Sequence, residues 1–348
     1  MAPADQRNRR DGATAASLAG GVSTILLVLS WCLVLGWWLA PSGSRLAGRL
    51  QPLAWIPDWA WLLGVAGPAS VAAIVSCRAA THRRLRLALA AAALIGPGRG
   101  VFGREYGVRG PLPAPFVRVL FLNAQSSPAT QAEGEVAMFE ALDPDLVIVA
   151  NPGWLAPTWR RSAQEAAIDG RPRWFIHWRN PVLAASPHGA CVIRTVMAAD
   201  DIRVVSVEPP PALAARLGID RILVVDLPSD PGIDREAVVD RLEAGLAKSE
   251  FATLDSAGLV LGDFNMTPRT PALSRARGRL RDLVSEGARG WMGTWPRERP
   301  VLRIDQVFGD VRRNVRIETF DPGWGGHRGF VIDVEVDEGA TDGRPDQS

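Results

Sequence analysis

The stretch GLVLGDFNMTP, Gly258 to Pro268, runs through an apolar Leu259-Val260-Leu261 and stops on an acid and an amide, Asp263 and Asn265. So short and apolar a run reads as a buried strand, and Pro268 bars a simple continuation of it. Folds place chemistry where strands end at the rim of a sheet, so this Asp-x-Asn pair is a candidate site.

Similar runs recur on both sides of it. FVRVLFLN (116–123), PDLVIVAN (144–151), GACVIRT (189–195), DRILVVDL (220–227) and RIDQVFGD (303–310) are short β-branched runs with polar residues at or beside their ends, and HRGFVIDVEV (327–336) closes the series. Helical stretches separate some of them, at Thr130 to Leu142 and Asp234 to Ser249. Strands mixed with helices imply an α/β domain whose sheets are buried on both faces.

The N-terminal third has a different character. No charge occurs between Asp11 and Arg45, and the run from Ala15 to Ala40 exceeds the roughly 20 apolar residues that a bilayer crossing needs. A second uncharged run, Trp59 to Cys77, opens beside Trp55, Trp59 and Trp61, aromatics that favour the membrane interface. The third candidate, Leu87 to Gly98, is short and mostly alanine, and crosses only if Arg84 and Arg86 snorkel to the headgroups. Arg7, Arg9 and Arg10 precede the first run, and Arg78, Arg83, Arg84 and Arg86 follow the second, whereas the intervening loop holds only Arg45 and Arg49. The positive-inside rule then keeps the N-terminus and the 78–86 loop cytoplasmic. Three spans are expected, giving a multi-pass membrane protein whose C-terminal domain is extracytoplasmic. The expected organisation is a membrane region at 1–100, a Gly/Pro-rich linker at 101–115, a domain at 116–337 and a disordered tail at 338–348.

Composition adds exclusions. With 348 residues, 47% of them hydrophobic, the chain can build a sizeable core, and a net charge of +2 gives no polyanion-binding signal. Cys32, Cys77 and Cys191 are odd in number and lack a Cys-x-x-Cys pattern, which supports neither a disulfide framework nor a zinc site.

Asn123, Asn151, Asp263 with Asn265, Asp305 and His327 all lie at the ends of these runs and can meet at one rim. Singly each has a bland reading, since Asn after a strand is commonly a turn residue and a lone His a polar surface group. Their joint order is more specific. VRVLFLNAQ, DPDLVIVAN, HGACVIRT, LVLGDFNMTPRTPAL, GTWP followed by LRIDQVF, and GGHRGFVIDV resemble, in order and spacing, the endonuclease/exonuclease/phosphatase superfamily over Phe116 to about Val336, with the closest likeness to membrane-anchored bacterial members.

The resemblance implies a four-layer α/β sandwich, two packed mixed or mostly antiparallel sheets flanked by helices, preceded here by transmembrane helices. It also implies phosphate-ester hydrolysis with a divalent cation, usually Mg2+. Asp263 would orient or deprotonate the water, Asn265 would donate to phosphate oxygens, and Asn123 would support the metal. His327, polarised by Asp305, would bind the phosphate. The metal set carried over is Asn123, Asn151 and Asp305. Several positions depart from the family pattern. Its metal-binding glutamate is Asn151, its Ser-Asp-His is Gly325-Gly326-His327, its Asn-x-His is replaced in VVDLPSD with Asp226 in place of the Asn, and its His after the Ile-Asp aspartate is Gln306. Asp263 and Asp305 are then the only acids expected at the site, so weak Mg2+ binding is expected.

His188 and His177 stay unassigned; His188, near a strand entrance, is open to a place in the cleft, with a surface residue the favoured reading. Trp154, Trp159, Trp174 and Trp178, interleaved with arginines, fit nucleic-acid stacking less well than half-buried aromatics beneath snorkelling side chains or a face toward lipid headgroups. The expected partners are the lipid bilayer and a phosphate ester, with nucleic acid less favoured. The headline reading is a membrane-anchored metal-dependent phosphoesterase with an altered site. A catalytically inactive relative that binds a phosphorylated ligand, lipid headgroup or protein is the alternative, and a membrane-assembly scaffold is the third.

Overall fold

The computed structural model describes residues 3–39, 56–78, 83–108, 115–125, 132–168, 174–199, 201–230, 232–310 and 314–336. The chain divides into two compact units, Met1–Glu105 and Tyr106–Ser348. The disordered tail expected at 338–348 lies outside the described residues.

The first unit is helical: α1 (Pro3–Leu39), α2 (Asp58–Arg78) and α3 (Arg83–Gly100), followed by one π-helical turn, Val101–Glu105. Long apolar runs carry α1 and α2, and Leu27, Ala69 and Ala72 form a buried contact with Ala90 of α3. Small residues let the backbones approach, and Ser23 donates to the Ala72 carbonyl (3.1 Å) and meets Ser76 Oγ (2.6 Å) across the α1/α2 contact. Among the described residues two helices are long and apolar enough to cross a membrane, over Leu18–Trp37 and Asp58–Ser76. The third expected span does form a helix, but its arginines and many alanines keep it below that apolarity.

The stretch expected to be a linker is partly built. Glu105 accepts the Asp58 N–H (2.6 Å) and the Trp59 N–H (3.0 Å), satisfying two of the open donors in the first turn of α2. Tyr106–Val108 is a strand, β1, paired antiparallel with β11 (Arg289–Trp291). Gly and Pro content signals turns but says nothing of partners far away in sequence, which is why composition concealed both features. Residues 109–114 lie outside the described residues.

The second unit is a sandwich of two six-stranded sheets. One holds β2 (Phe116–Asn123), β3 (Leu146–Ala150), β4 (Phe175–Arg179), β5 (Val182–Ser186), β13 (Val315–Phe320) and β14 (Gly329–Glu335), in the order β13-β14-β2-β3-β5-β4. The other holds β6 (Val192–Ala199), β7 (Ile202–Glu208), β8 (Ile222–Asp226), β9 (Leu259–Asp263), β10 (Arg281–Asp282) and β12 (Asp305–Gly309), in the order β10-β12-β9-β8-β7-β6. The pairs β2/β3 and β8/β9 are parallel and the remaining pairs antiparallel.

Period two explains the layering. Val117, Val119, Phe121, Leu259, Leu261, Val307, Phe330 and Ile332 point between the sheets. Their alternates Leu120, Leu122, Val147 and Val149 pack outward with Phe139 of α4 (Ala132–Ala141) and Trp159 of α5 (Leu155–Ile168). On the other side Leu223, Val225, Val260 and Phe308 pack with Leu242 and Leu246 of α7 (Arg235–Leu246) and Leu273 of α8 (Pro271–Arg277). Two short helices complete the unit, α6 (Pro211–Leu217) and α9 (Leu283–Gly287). The result is the expected four-layer α/β/β/α arrangement.

Phe330 is wholly buried between the sheets. Phe330→Ala should therefore cost about 3–5 kcal/mol, seen as a lower urea midpoint of tryptophan fluorescence for the full chain, whereas truncating exposed Val301 should cost far less.

Candidate functional site

The inter-sheet layer changes chemistry at one end. Leu259 and Leu261 face the opposite sheet, and the next residue of that parity is Asp263; Ile222 and Val224 lead in the same way to Asp226, and Val117, Val119 and Phe121 to Asn123. On β12 the inward Val307 is preceded at the same parity by Asp305. Register then aligns the acids, since Asp263 pairs with Asp305 on β12 and with Asp226 on β8. Paired residues project to the same face, so the three carboxylates stand side by side on three adjacent strands, facing the other sheet. Gly262 allows the close strand approach before them, because a Cβ there would lie 2.0 Å from the Val225 carbonyl oxygen.

The facing sheet supplies donors. Asn123 Nδ2 donates to Asp263 Oδ2 (3.1 Å), and Asn151 Nδ2 donates to Asn123 Oδ1 (3.2 Å) and Asp226 Oδ2 (3.2 Å). His327 Nδ1 lies 2.7 Å from Asp305 Oδ2, and its Nε2 lies 3.8 Å from Asp263 Oδ2. Asn265 N–H donates to Asp263 Oδ1 (2.9 Å), and its side-chain amide donates to the Leu227 carbonyl (2.8 Å). Both Asn151 (φ 51°) and Asn265 (φ 48°) adopt the left-handed conformation that asparagine tolerates better than most side chains. The bland turn reading thus holds for their backbones, while their side chains still join the cluster.

The electrostatics follow from this crowding. Burial, then the neighbouring Asp305, raises the Asp263 carboxyl well above its usual range, against the pull of His327 and the Asn265 N–H. Burial also raises Asp226, against its hydrogen bond from Asn151. Burial works to lower His327, but Asp305, through its charge and its hydrogen bond, and then Asp263 and Asp226, push the imidazole up to about 9. Asp305 is 1% exposed, and its Oδ1 has no hydrogen-bond partner. An orphaned buried carboxylate oxygen is costly, and the groups beside it, the Asp263 carboxylate and the His327 imidazole, are of types that bind divalent cations. One ligand atom each from Asp263, Asp305 and His327 lies within 4.8 Å of the others, close enough for one ion. The residues present therefore fit a divalent cation.

Sequence reasoning missed three contributors. Asp226 was noted only as a replacement, although its parity in the run ending at β8 would have put it on the rim. Gln125 carried no signal; its carboxamide lies 2.7 Å from His327 Nε2, and a Cβ at Gly326 would fall 2.0 Å from Gln125 Oε1, so the space of a larger residue at 326 is filled. Arg235 of α7 is buried, donates to the Pro228 (2.6 Å) and Asp230 (2.8 Å) carbonyls, and feels the charge of Asp263.

Other expectations are corrected. Gln306 does not belong to the rim, because it alternates with Asp305 and donates to the Met266 (2.9 Å) and Arg303 (3.1 Å) carbonyls on the opposite face. Asp263 and Asp305 are not the only acids, since register adds Asp226. His188 pairs with Asp145 (2.7 Å), which precedes β3 at the end opposite Asn151, and His177 meets the Cys191 carbonyl (2.7 Å). Trp159 is buried, stacked on Phe139 with ring centroids 5.2 Å apart, while Trp154 is exposed.

The sequence model of the Endonuclease/Exonuclease/phosphatase family matches residues 99–322. No curated protein matches the chain in sequence. Solved structures similar to it include the endonuclease domain of TRAS1, a telomere-specific non-LTR retrotransposon, at 16% identity and a TM-score of 0.40, over 64% of this chain and 99% of that one. TDP2 of D. rerio, complexed with a single-stranded DNA product, is 11% identical with a TM-score of 0.42, over 64% of this chain and 100% of that one. An AP endonuclease from Archaeoglobus fulgidus is 12% identical with a TM-score of 0.42, over 63% of this chain and 100% of that one.

The raised pKa of His327 has a defined pH signature. Its folded value lies above the ordinary 6.5, so its contribution to stability is fully present below about pH 6.5 and is lost as pH rises through about 9. An NMR titration of the ring should give a midpoint near the upper value in the wild type and a lower one in Asp305→Asn. The unfolding midpoint should fall across that window in the wild type and fall less in His327→Gln. A wild-type ring titrating at its ordinary value would contradict the geometry.

Proposed function

Since the chain belongs to the Endonuclease/Exonuclease/phosphatase family, we propose that its second unit hydrolyses phosphoric esters with the help of a divalent cation. The observation that carries the reading is the buried pairing of His327 with Asp305 at 2.7 Å, with Asp263 3.8 Å from the other ring nitrogen. A cation-like imidazolium and a carboxylate thus border one small space, as phosphoryl transfer to water requires.

Asp263, with its raised carboxyl, takes the proton of the attacking water. His327, held by Asp305, donates from Nε2 to a phosphate oxygen after the Gln125 carboxamide gives up that position. Asn265 spends one amide hydrogen on the Leu227 carbonyl and has a second to donate to the phosphate. Asn123, Asn151 and Asp305 are the residues that would hold Mg2+ or a similar ion. When bound, the ion neutralises charge developing on the phosphoryl oxygens.

We propose further that the first unit anchors the protein in a bilayer with three crossings, which puts the second unit outside the cytoplasm. Leu18, Ile25, Val28, Leu63 and Ile74 are exposed on α1 and α2, an apolar surface that lipid would cover. Within this unit α3 returns along its neighbours: a Cβ at Gly96 would lie 3.0 Å from the Trp37 ring, and one at Gly100 would lie 2.5 Å from Asp58 Cγ in the first turn of α2. Running back to the start of α2 compensates for its modest apolarity. The bilayer and a phosphate ester are the proposed partners.

Hydrolysis of bis(p-nitrophenyl) phosphate by the full chain should require Mg2+ or Mn2+ and should fall at least about a hundredfold in Asp263→Ala and His327→Ala. Cation-dependent binding of inorganic phosphate without turnover would instead favour the inactive relative. For topology, a reporter active only outside the cytoplasm should work when fused after Pro115 and stay silent when fused within the 78–86 loop. The reverse pattern would take α3 out of the bilayer.

A further inference from the structure

We infer that Asp226 is a ligand of the divalent cation at this site, supplying the negative charge that Asn151 lacks. The inference rests on the metal-dependent reading above and adds a residue to it.

Three observations meet at this side chain. Asp226 ends β8 in register with Asp263, so its carboxylate projects toward the facing sheet in the same row as Asp263 and Asp305. Its Oδ2 accepts from Asn151 Nδ2 at 3.2 Å, and the same nitrogen donates to Asn123 Oδ1 at 3.2 Å. The acid therefore contacts one of the two carboxamides that would hold the ion, and that carboxamide contacts the other. A carboxamide oxygen coordinates Mg2+ but brings no charge, whereas affinity for such ions rises with the number of charged ligands. Within the row, Asp305 is nearly fully buried and its Oδ1 has no hydrogen-bond partner, an unmet acceptor that an ion at this rim would satisfy.

A salt-bridge role for Asp226 would consist of pairing with Arg203. That contact is 3.8 Å long and its guanidinium is 48% exposed, the kind of pair that contributes little. It does not explain why Asn151, in a left-handed conformation, turns its amide toward the acid. With an ion bound, a rotation of the Asn151 carboxamide would present its oxygen to the same ion and leave the Asp226 oxygen free to coordinate.

The test is calorimetric titration of Mn2+ into the full chain in detergent. Asp226→Asn, an isosteric change, should weaken binding at least about tenfold. The exchange Asp226→Asn with Asn151→Asp moves the carboxylate across one hydrogen bond and should recover most of the loss. Arg203→Gln should leave affinity unchanged or tighten it. Unchanged affinity in Asp226→Asn, with loss in Asp305→Asn, would overturn the inference and leave the metal-dependent reading standing. A wild type that binds no Mn2+ or Mg2+ would overturn both. Because a variant can fail to fold, the wild type supplies a second measurement: Fe2+ with ascorbate and peroxide cleaves backbone beside a bound ion. Cuts are expected next to Asp226 as well as Asp263, and their absence at Asp226 would sink the assignment.

Discussion

Everything at the rim depends on the register that pins Asp263 between Asp305 and Asp226. Three carboxylates on neighbouring strands repel one another, and burial removes the water that would screen them. Such a cluster survives because the opposite sheet offers it hydrogen-bond donors. Asn123 reaches Asp263, Asn151 reaches Asp226, and His327 reaches Asp305. Acids come from one sheet, amides and the imidazole from the other, so the packing of the sandwich sets every important distance.

That division of labour links core and chemistry. The apolar layer of Val119, Phe121, Leu261, Val307 and Phe330 holds the two sheets at a fixed separation, and the polar cluster continues the same layer at its end. A shift of one sheet against the other would leave buried acids without donors, a heavier penalty than the loss of a few contacts. The cluster is therefore both a catalytic candidate and a constraint on how the sheets may slide.

The helical unit follows the same logic. Several of its polar groups are paired internally: Ser23 with Ser76, Trp37 Nε1 with Asp58 Oδ1 (2.7 Å), and the first N–H groups of α2 with Glu105. Long aliphatic side chains, among them Leu18, Ile25 and Leu63, are left exposed on the surface of the unit.

Much was determined by the sequence alone, because local period and strand-end chemistry are local properties. The unbroken apolar run Leu259-Val260-Leu261 specifies a strand buried on both faces, and the uncharged runs before Trp37 and after Asp58 specify long apolar helices. The order of strand-end polar residues was enough to suggest the family that the match over residues 99–322 establishes. Tertiary structure decided which of those residues share a face and a rim. Asp226 and Gln306 both depart from the family pattern, yet parity and register bring Asp226 beside Asp263 and turn Gln306 away to the Met266 carbonyl. Gln125, Glu105 and the course of α3 depend on partners distant along the chain, at His327, Asp58 and Trp37. Composition carries no record of such pairings, because they arise only when separate segments pack and their side chains compete for the same space.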